Sequence, residues 1–206
     1  MEKRTFSRLK EKEWEDRKDL ILDAAEKLFA TKPYDKVSLQ EIANEAGLAK
    51  SSIYTYFSTQ EALFVEAGMR DANSLLLEWE AILNKKDKSC MGKMINTWID
   101  FFISHESFFR MSAQFMIYGK MSLEAIDKLN PITRRMLDTL ELAIRRLDYK
   151  GNSRLLAHTL FSALSGILIA YRKYPGRNEE EICKHMKRIG KNIKEMIEVF
   201  ISSSSI

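Results

Sequence analysis

Lys50, Ser51, Ser52, Tyr54 and Thr55 lie within six residues of one another, shortly after Gly47 and Leu48. One ammonium, three aliphatic hydroxyls and a phenol in this order make no cleaving centre, but they are donors and acceptors suited to base edges and phosphate oxygens. Lys50 can read guanine or bind phosphate, Thr55 can meet a thymine methyl, and the hydroxyls of Ser51 and Tyr54 can reach either base or phosphate. Leu48, Ile53 and Phe57 occupy the other side of the same helix, so the polar set faces outward. Gln40 falls on the outward face of the preceding helix and suits an adenine or a backbone oxygen. Ser38, with the amides of its helix N-terminus, suits a phosphate.

The elements that must hold these groups are two short helices meeting at Gly47. Ser38 and Glu41 make a capping box that starts the first, and Leu39, Ile42, Ala43 and Ala46 then share one face. Ala43 is small where a second helix must cross closely, Gly47 can take the positive φ of a tight turn, and Ile53 plugs the second helix into the first. That is helix-turn-helix spacing, and in such a unit the second helix lies in the major groove while the first crosses the backbone. A helix from Asp16 or a little earlier to Ala30, carrying Ile21, Ala24, Ala25, Leu28 and Phe29, roofs this pair and is stopped by Pro33. Residues 1–57 therefore read as a nucleic-acid-binding head, with Tyr34 and Val37 completing its core.

Residues 58–206 read as a second, helical domain. Ser58 and Glu61 make another capping box, opening a helix that runs through Leu63 and Trp79 to about Asn84. The connector Lys85-Lys86-Asp87-Lys88 is charged, and Ser89 is placed to cap the next helix. Asn130-Pro131 divides the middle of the domain, placing Pro131 in the first turn of a helix that Lys150-Gly151 ends. Arg154 to Arg172 is apolar nearly all round, which suits a helix packed on its own domain on one side and on something else on another. Asn178 with Glu181 caps a last helix whose Ile182, Met186, Ile189, Ile193, Met196, Ile197 and Phe200 advance by threes and fours. Paired with their symmetry mates, these two helices would make an isologous four-helix interface through Ala163, Gly166, Ala170, Ile189, Ile193 and Met196. Ser202–Ser205 reads as a frayed tail. The fold class expected is all-α, a three-helix head followed by a helical bundle for ligand binding and dimerisation, about nine helices in all.

Composition agrees with helices: three prolines and eight glycines in 206 residues, with 45% hydrophobic residues to build a core. Charge does not announce nucleic acid, since residues 1–60 hold 11 Lys or Arg against 11 Asp or Glu. Residues 1–12 are locally basic through Lys3, Arg4, Arg8, Lys10 and Lys12, and read either as a mobile arm able to reach phosphates or as a solvated tail. Cys90 and Cys183 stand apart, with no metal-ligand or disulfide spacing, and the N-terminus has no apolar segment after its charges. A cytoplasmic protein is expected. Leu155 to Tyr171 is uncharged, but His158, Thr159, Ser162, Ser165 and Gly166 interrupt it, so a buried helix is the expectation rather than a membrane span.

Trp98, Phe102, Phe109, Phe115 and Phe161 could line an apolar pocket for a small ligand, with His158 or Gln114 orienting a polar group. Taken singly, such residues at helical spacing are ordinary core, and His158 suits a satisfied core histidine. No HExxH, GxSxG, P-loop, Gly-rich dinucleotide turn or Glu-x-x-His pair is present, so no catalytic residue, metal or cofactor is expected.

From Ile21 to Phe64, the order Ile-Leu-Asp-Ala-Ala-Glu-Lys-Leu-Phe, Ser-Leu-Gln-Glu-Ile-Ala-Asn-Glu-Ala-Gly, Ile-Tyr-Thr-Tyr-Phe and Glu-Ala-Leu-Phe resembles the DNA-binding head of TetR-family transcriptional regulators. The resemblance implies a homodimeric repressor of a double-stranded DNA operator, released when a small effector enters the C-terminal domain. An apolar or amphipathic effector is expected. The alternative is a regulator controlled by a protein partner or without a small-molecule effector. By position, Ser38, Gln40, Ser51, Ser52, Tyr54, Thr55 and Tyr56 fall where family members touch DNA, Tyr56 at the phosphate backbone. Three departures stand out: Pro33 where Gly is common, Ala49 where a capping Ser or Thr is frequent, and Gln60 in place of a Lys. The missing cap is worth about 1 kcal/mol, too little to unmake a packed head.

Overall fold

The computed structural model describes residues 2–85, 89–119 and 121–203, with side chains from Arg8 onward. Lys86–Lys88 of the expected connector, Ser204 and Ser205 of the expected tail, and the Lys3 and Arg4 side chains of the expected arm lie outside the described residues. Among those described, every regular element is helical: α1 (Glu2–Thr31), a 3-10 turn (Tyr34–Lys36), α2 (Leu39–Glu45), α3 (Lys50–Tyr56), α4 (Gln60–Asn84), α5 (Cys90–Ser104), α6 (Glu106–Tyr118), α7 (Leu123–Arg145), α8 (Ser153–Tyr171) and α9 (Glu179–Ser203). The all-α class is as expected. Several ends are not.

Helix α1 starts at Glu2 rather than near Asp16, so the basic segment is helical. Apolar periodicity fades before Ile21, but Lys, Glu, Arg and Leu are good helix formers, no Gly or Pro intervenes, and Arg17 donates to Glu13 one turn away at 2.8 Å. Thr59, not Ser58, caps α4: its hydroxyl accepts the Ala62 amide at 3.0 Å, while Glu61 turns to accept the Ser122 amide at 2.9 Å. Pro131 lies inside α7, because that helix has already begun at Leu123 with Ser122 as its cap. Asn130 and Pro131 are exposed, so water can serve the carbonyl that proline leaves unpaired. Asp148, in the left-handed region at φ 58°, makes the turn after α7 that Gly151 was expected to make.

The chain divides into two compact units, residues up to Arg70 with Ser107–Ile126, and Asp71–Glu106 with the residues from Asp127 on. This grouping differs from a cut at Phe57 in taking the start of α4 and most of α6 together with the head. In the first unit Ile21, Ala25, Phe29, Ile42, Ala43, Ile53, Leu63 and Phe64 form a closed core. Gly68 on α4 leaves room for the Met111 methyl of α6, which a Cβ there would meet at 3.1 Å.

The second unit is built round α5, whose Cys90, Met94, Ile95, Trp98, Ile99 and Phe102 are all buried. Trp79 donates its indole N–H to the Met94 carbonyl at 3.0 Å and stacks on Trp98 at 5.5 Å between centroids. Arg172, 2% exposed, donates to the carbonyls of Phe102 and Ile103 and to the carboxylates of Glu106 and Glu179, all within 3.2 Å. Buried with its charge opposed and its donors engaged, it fastens the end of α8 to the end of α5. Gly190 brings α9 close to α5: a Cβ there would sit 2.6 Å from Ile95 Cγ2. Gly190→Ala should therefore destabilise the fold by about 1–3 kcal/mol in urea unfolding, although alanine is the better helix former. A variant as stable as the parent would show that α9 shifts freely on α5.

Candidate nucleic-acid interface

The capping box at Ser38 is complete. The Glu41 amide donates to Ser38 Oγ at 3.2 Å, and the Ser38 amide and hydroxyl donate to Glu41 Oε2 at 2.9 and 3.0 Å. Lys32, just past the end of α1, donates to the other carboxylate oxygen. The Lys32 hydrogen bond, followed by those from Ser38, pulls the Glu41 carboxyl down to about 2. Ionised Glu41 thus supports the head fully above its ordinary value near 4.5, and that support fades as pH falls from there to about 2. A carboxyl-carbon NMR titration of Glu41 should show a midpoint near 2, and Glu41→Gln should flatten the acid limb of head unfolding over that range. A midpoint near 4.5 would mean that the box is open in solution.

Gly47 takes φ 67°, the left-handed backbone that lets α2 turn into α3 within a few residues. The Leu48 amide reaches back to the Ala43 carbonyl at 2.9 Å, and Ile53 is fully buried beneath α2. Ala49 stands at the N-cap of α3 without a side-chain cap, as its type dictates. With Ile53 and Phe57 inward, Lys50, Ser51, Tyr54 and Thr55 are exposed along one side of α3, and Ser52 is half-buried. Ser38 and Gln40 are exposed at the start of α2, and Gln40 donates to Asn44 Oδ1 at 2.9 Å. The exposed members of the expected set thus come to α3 and the start of α2.

Tyr56 is half-buried, its ring 4.3 Å from that of Trp14 on α1. Sequence periodicity misses Trp14 because it begins α1 too late. Trp14 lies seven residues before Ile21 and so shares that residue's helical face. Gln60 is more than a lost charge: its amide donates to the carbonyls of Tyr34 and Val37, fastening the loop before α2 to the first turn of α4. Nothing in the sequence marks that tether.

Residues 21–67 match the family model described as bacterial regulatory proteins, tetR family. Over these residues the chain is similar to the TetR family. Over 98 residues it is 31% identical to YerO, an uncharacterized HTH-type transcriptional regulator of Bacillus subtilis (strain 168). That match covers 45% of this chain and 34% of YerO, so the chain spans about a third of the relative's length. The likeness in fold extends further than the likeness in sequence. The fatty acid degradation regulator FadR of Bacillus halodurans superposes with TM-score 0.74 over 86% of this chain and 94% of its own, at 16% identity. FadR of Bacillus subtilis, solved in complex with stearoyl-CoA, gives TM-score 0.72 over 86% and 96%, at 17% identity.

The seven residues expected of a ligand pocket fall in both compact units. Trp98 and Phe102 are buried and Phe161 half-buried, with both phenylalanine rings against Trp98 at 4.7 and 5.5 Å. The Trp98 indole N–H is buried without a hydrogen-bond partner. His158 is exposed, not a core histidine, because Ala157, Leu160 and Leu164 take the inner side of α8. Phe109 and Gln114 line a cavity of the first unit, and Phe115 is 41% exposed. Of the expected dimer residues, Gly166, Ala170 and Met196 are exposed and Ala163, Ile189 and Ile193 half-buried. Helix α8 is thus buried on one face, not all round. By length and composition it could cross a membrane, with 33% of its apolar window buried.

Proposed function

We propose that the protein is a sequence-specific DNA-binding transcriptional regulator, a cytoplasmic homodimeric repressor released from its operator by a small apolar or amphipathic effector. The observation that carries the DNA reading is the outward row Lys50, Ser51, Tyr54 and Thr55 on α3, backed by buried Ile53 in a TetR-family head. A helix so presented enters the major groove N-terminus first, with Ser38, Gln40 and Tyr56 directed to the backbone on either side.

Dimerisation is supported by the outer faces of α8 and α9. Leu155, Ile169, Met196, Val199 and Phe200 are each 43–71% exposed, and a Cβ at Gly166 would meet nothing within 4 Å. Such an apolar strip, with a small residue in it, suits a second copy crossing closely. The effector reading is supported by the aromatic cluster at Trp98 with its unused indole donor, and by the stearoyl-CoA bound to the FadR of similar fold.

The deciding experiment is a gel shift, at moderate salt, of the duplex upstream of the protein's own reading frame. A shift that unlabelled specific duplex displaces, and random duplex does not, is expected. Absence of any shift across that region would count against an autoregulator. Sedimentation at micromolar concentration should give a dimer, and a monomer there would remove the interface assigned to α8 and α9.

A further inference from the structure

The first compact unit holds a cavity of about 230 Å³ between the end of α1, the Pro33–Tyr34 turn, α4 and α6. Its inner wall includes Phe29 and Phe64, 1% and 6% exposed and set edge to face with centroids 5.3 Å apart. Tyr34, Gln114, Lys32 and Arg110 add polar groups to the lining, which has two cations and no acid among its twelve residues. Burial raises the Tyr34 phenol, assisted by Glu61, and its hydroxyl is a hydrogen-bond donor in the lining. An apolar cavity of about 150 Å³ is enough for one benzene ring, so this space accepts a ring or a short acyl chain with a polar end. Two cations with no lining carboxylate favour an anionic end, and a planar guanidinium suits a carboxylate.

Lys32 joins this cavity to the helix-turn-helix. The same ammonium that lines it is the leading partner of Glu41, whose carboxylate closes the capping box of α2. The Tyr34 turn, tethered by Gln60, runs directly into Ser38. A carboxylate that draws Lys32 away takes from Glu41 its strongest stabilising partner and loosens the start of the helix on which α3 packs.

We propose that this cavity is an effector site for a small amphipathic carboxylate, one ring or a short acyl chain, which weakens DNA binding through Lys32 and the Glu41 capping box. The coupling rests on the DNA-binding reading above; the site does not.

The test uses the full chain labelled with ¹³C at the methionine methyls and phenylacetate as probe. Met111 lines the cavity and is 5% exposed, and its resonance is assigned through Met111→Leu. Phenylacetate should shift the Met111 methyl saturably, and phenylacetamide should bind about tenfold more weakly, as the loss of one charge-assisted contact requires. Ala113→Trp, or Gln114→Trp should that variant not fold, fills the space and should abolish the titration. No saturation up to roughly 10 mM phenylacetate, the weak limit for so few atoms, would overturn the site, as would a titration that survives the filled cavity. Equal binding of acid and amide would overturn the anionic assignment. Saturating phenylacetate should lower operator affinity several-fold in wild-type protein, and unchanged affinity would overturn the coupling. If no operator is bound at all but the Met111 titration holds, the site stands and the regulator reading falls.

Discussion

On the proposed reading, a protein carrying both Lys50→Ala and Tyr54→Ala is expected to lose operator affinity by about a hundredfold while keeping its fold. Each side chain is exposed on α3, Tyr54 at 53%, so neither truncation opens a hole in the core. Alanine is a better helix former than either, so the seven-residue helix does not suffer. In the proposed groove contact each group would contribute about 1–3 kcal/mol, and two together would give the hundredfold. Removing the ammonium should also lower the salt slope of binding by about one ion if Lys50 meets a phosphate. Fluorescence anisotropy with labelled operator at several salt concentrations reads both quantities. A loss under about fivefold would move the recognition surface off α3. The head has equal numbers of cations and acids, so no broad positive field is present to mask the deletion.

Trp79→Ala is expected to have the largest effect on stability. Trp79 is fully buried on α4, stacks on Trp98, and donates its indole N–H to Met94 on α5. Truncation leaves a cavity in the middle of the second unit, and such changes cost about 3–5 kcal/mol. Trp79→Phe keeps a ring but loses the hydrogen bond and some volume, and should recover about half of that. Urea unfolding followed by far-UV circular dichroism gives both values. A cost below about 1.5 kcal/mol for Trp79→Ala would mean that neighbouring rings collapse into the space. Trp14→Ala, by contrast, should change stability by under about 1 kcal/mol, since Trp14 is 42% exposed.

The helix-turn-helix was legible because each of its determinants is local. A Ser and a Glu three residues apart close a box, a Gly supplies a positive φ, and the alternation of Ile42, Ala43, Ile53 and Phe57 with polar residues sorts α2 and α3 into faces. The same holds for Asn178 and Glu181, which do cap α9 reciprocally at 3.1 and 2.9 Å. Signals that depend on one turn of chain are read correctly when nothing distant competes. At Ser58 something did: Glu61 was drawn to the Ser122 amide, sixty-one residues away, and the cap passed to Thr59.

By itself the sequence determined the all-helical class, the head with its α2–α3 turn, and which of α3's side chains face outward, because periods of three and four residues and a single glycine suffice for these. Only the tertiary structure decided that Gln60 ties down the loop before α2, that Lys32 holds Glu41, that Trp14 lies on Tyr56, and that Arg172 is buried among carbonyls and carboxylates. Each of these is a long polar or aromatic side chain whose partner is several turns or a whole helix away, so its role is set by which elements meet, and no local pattern records that.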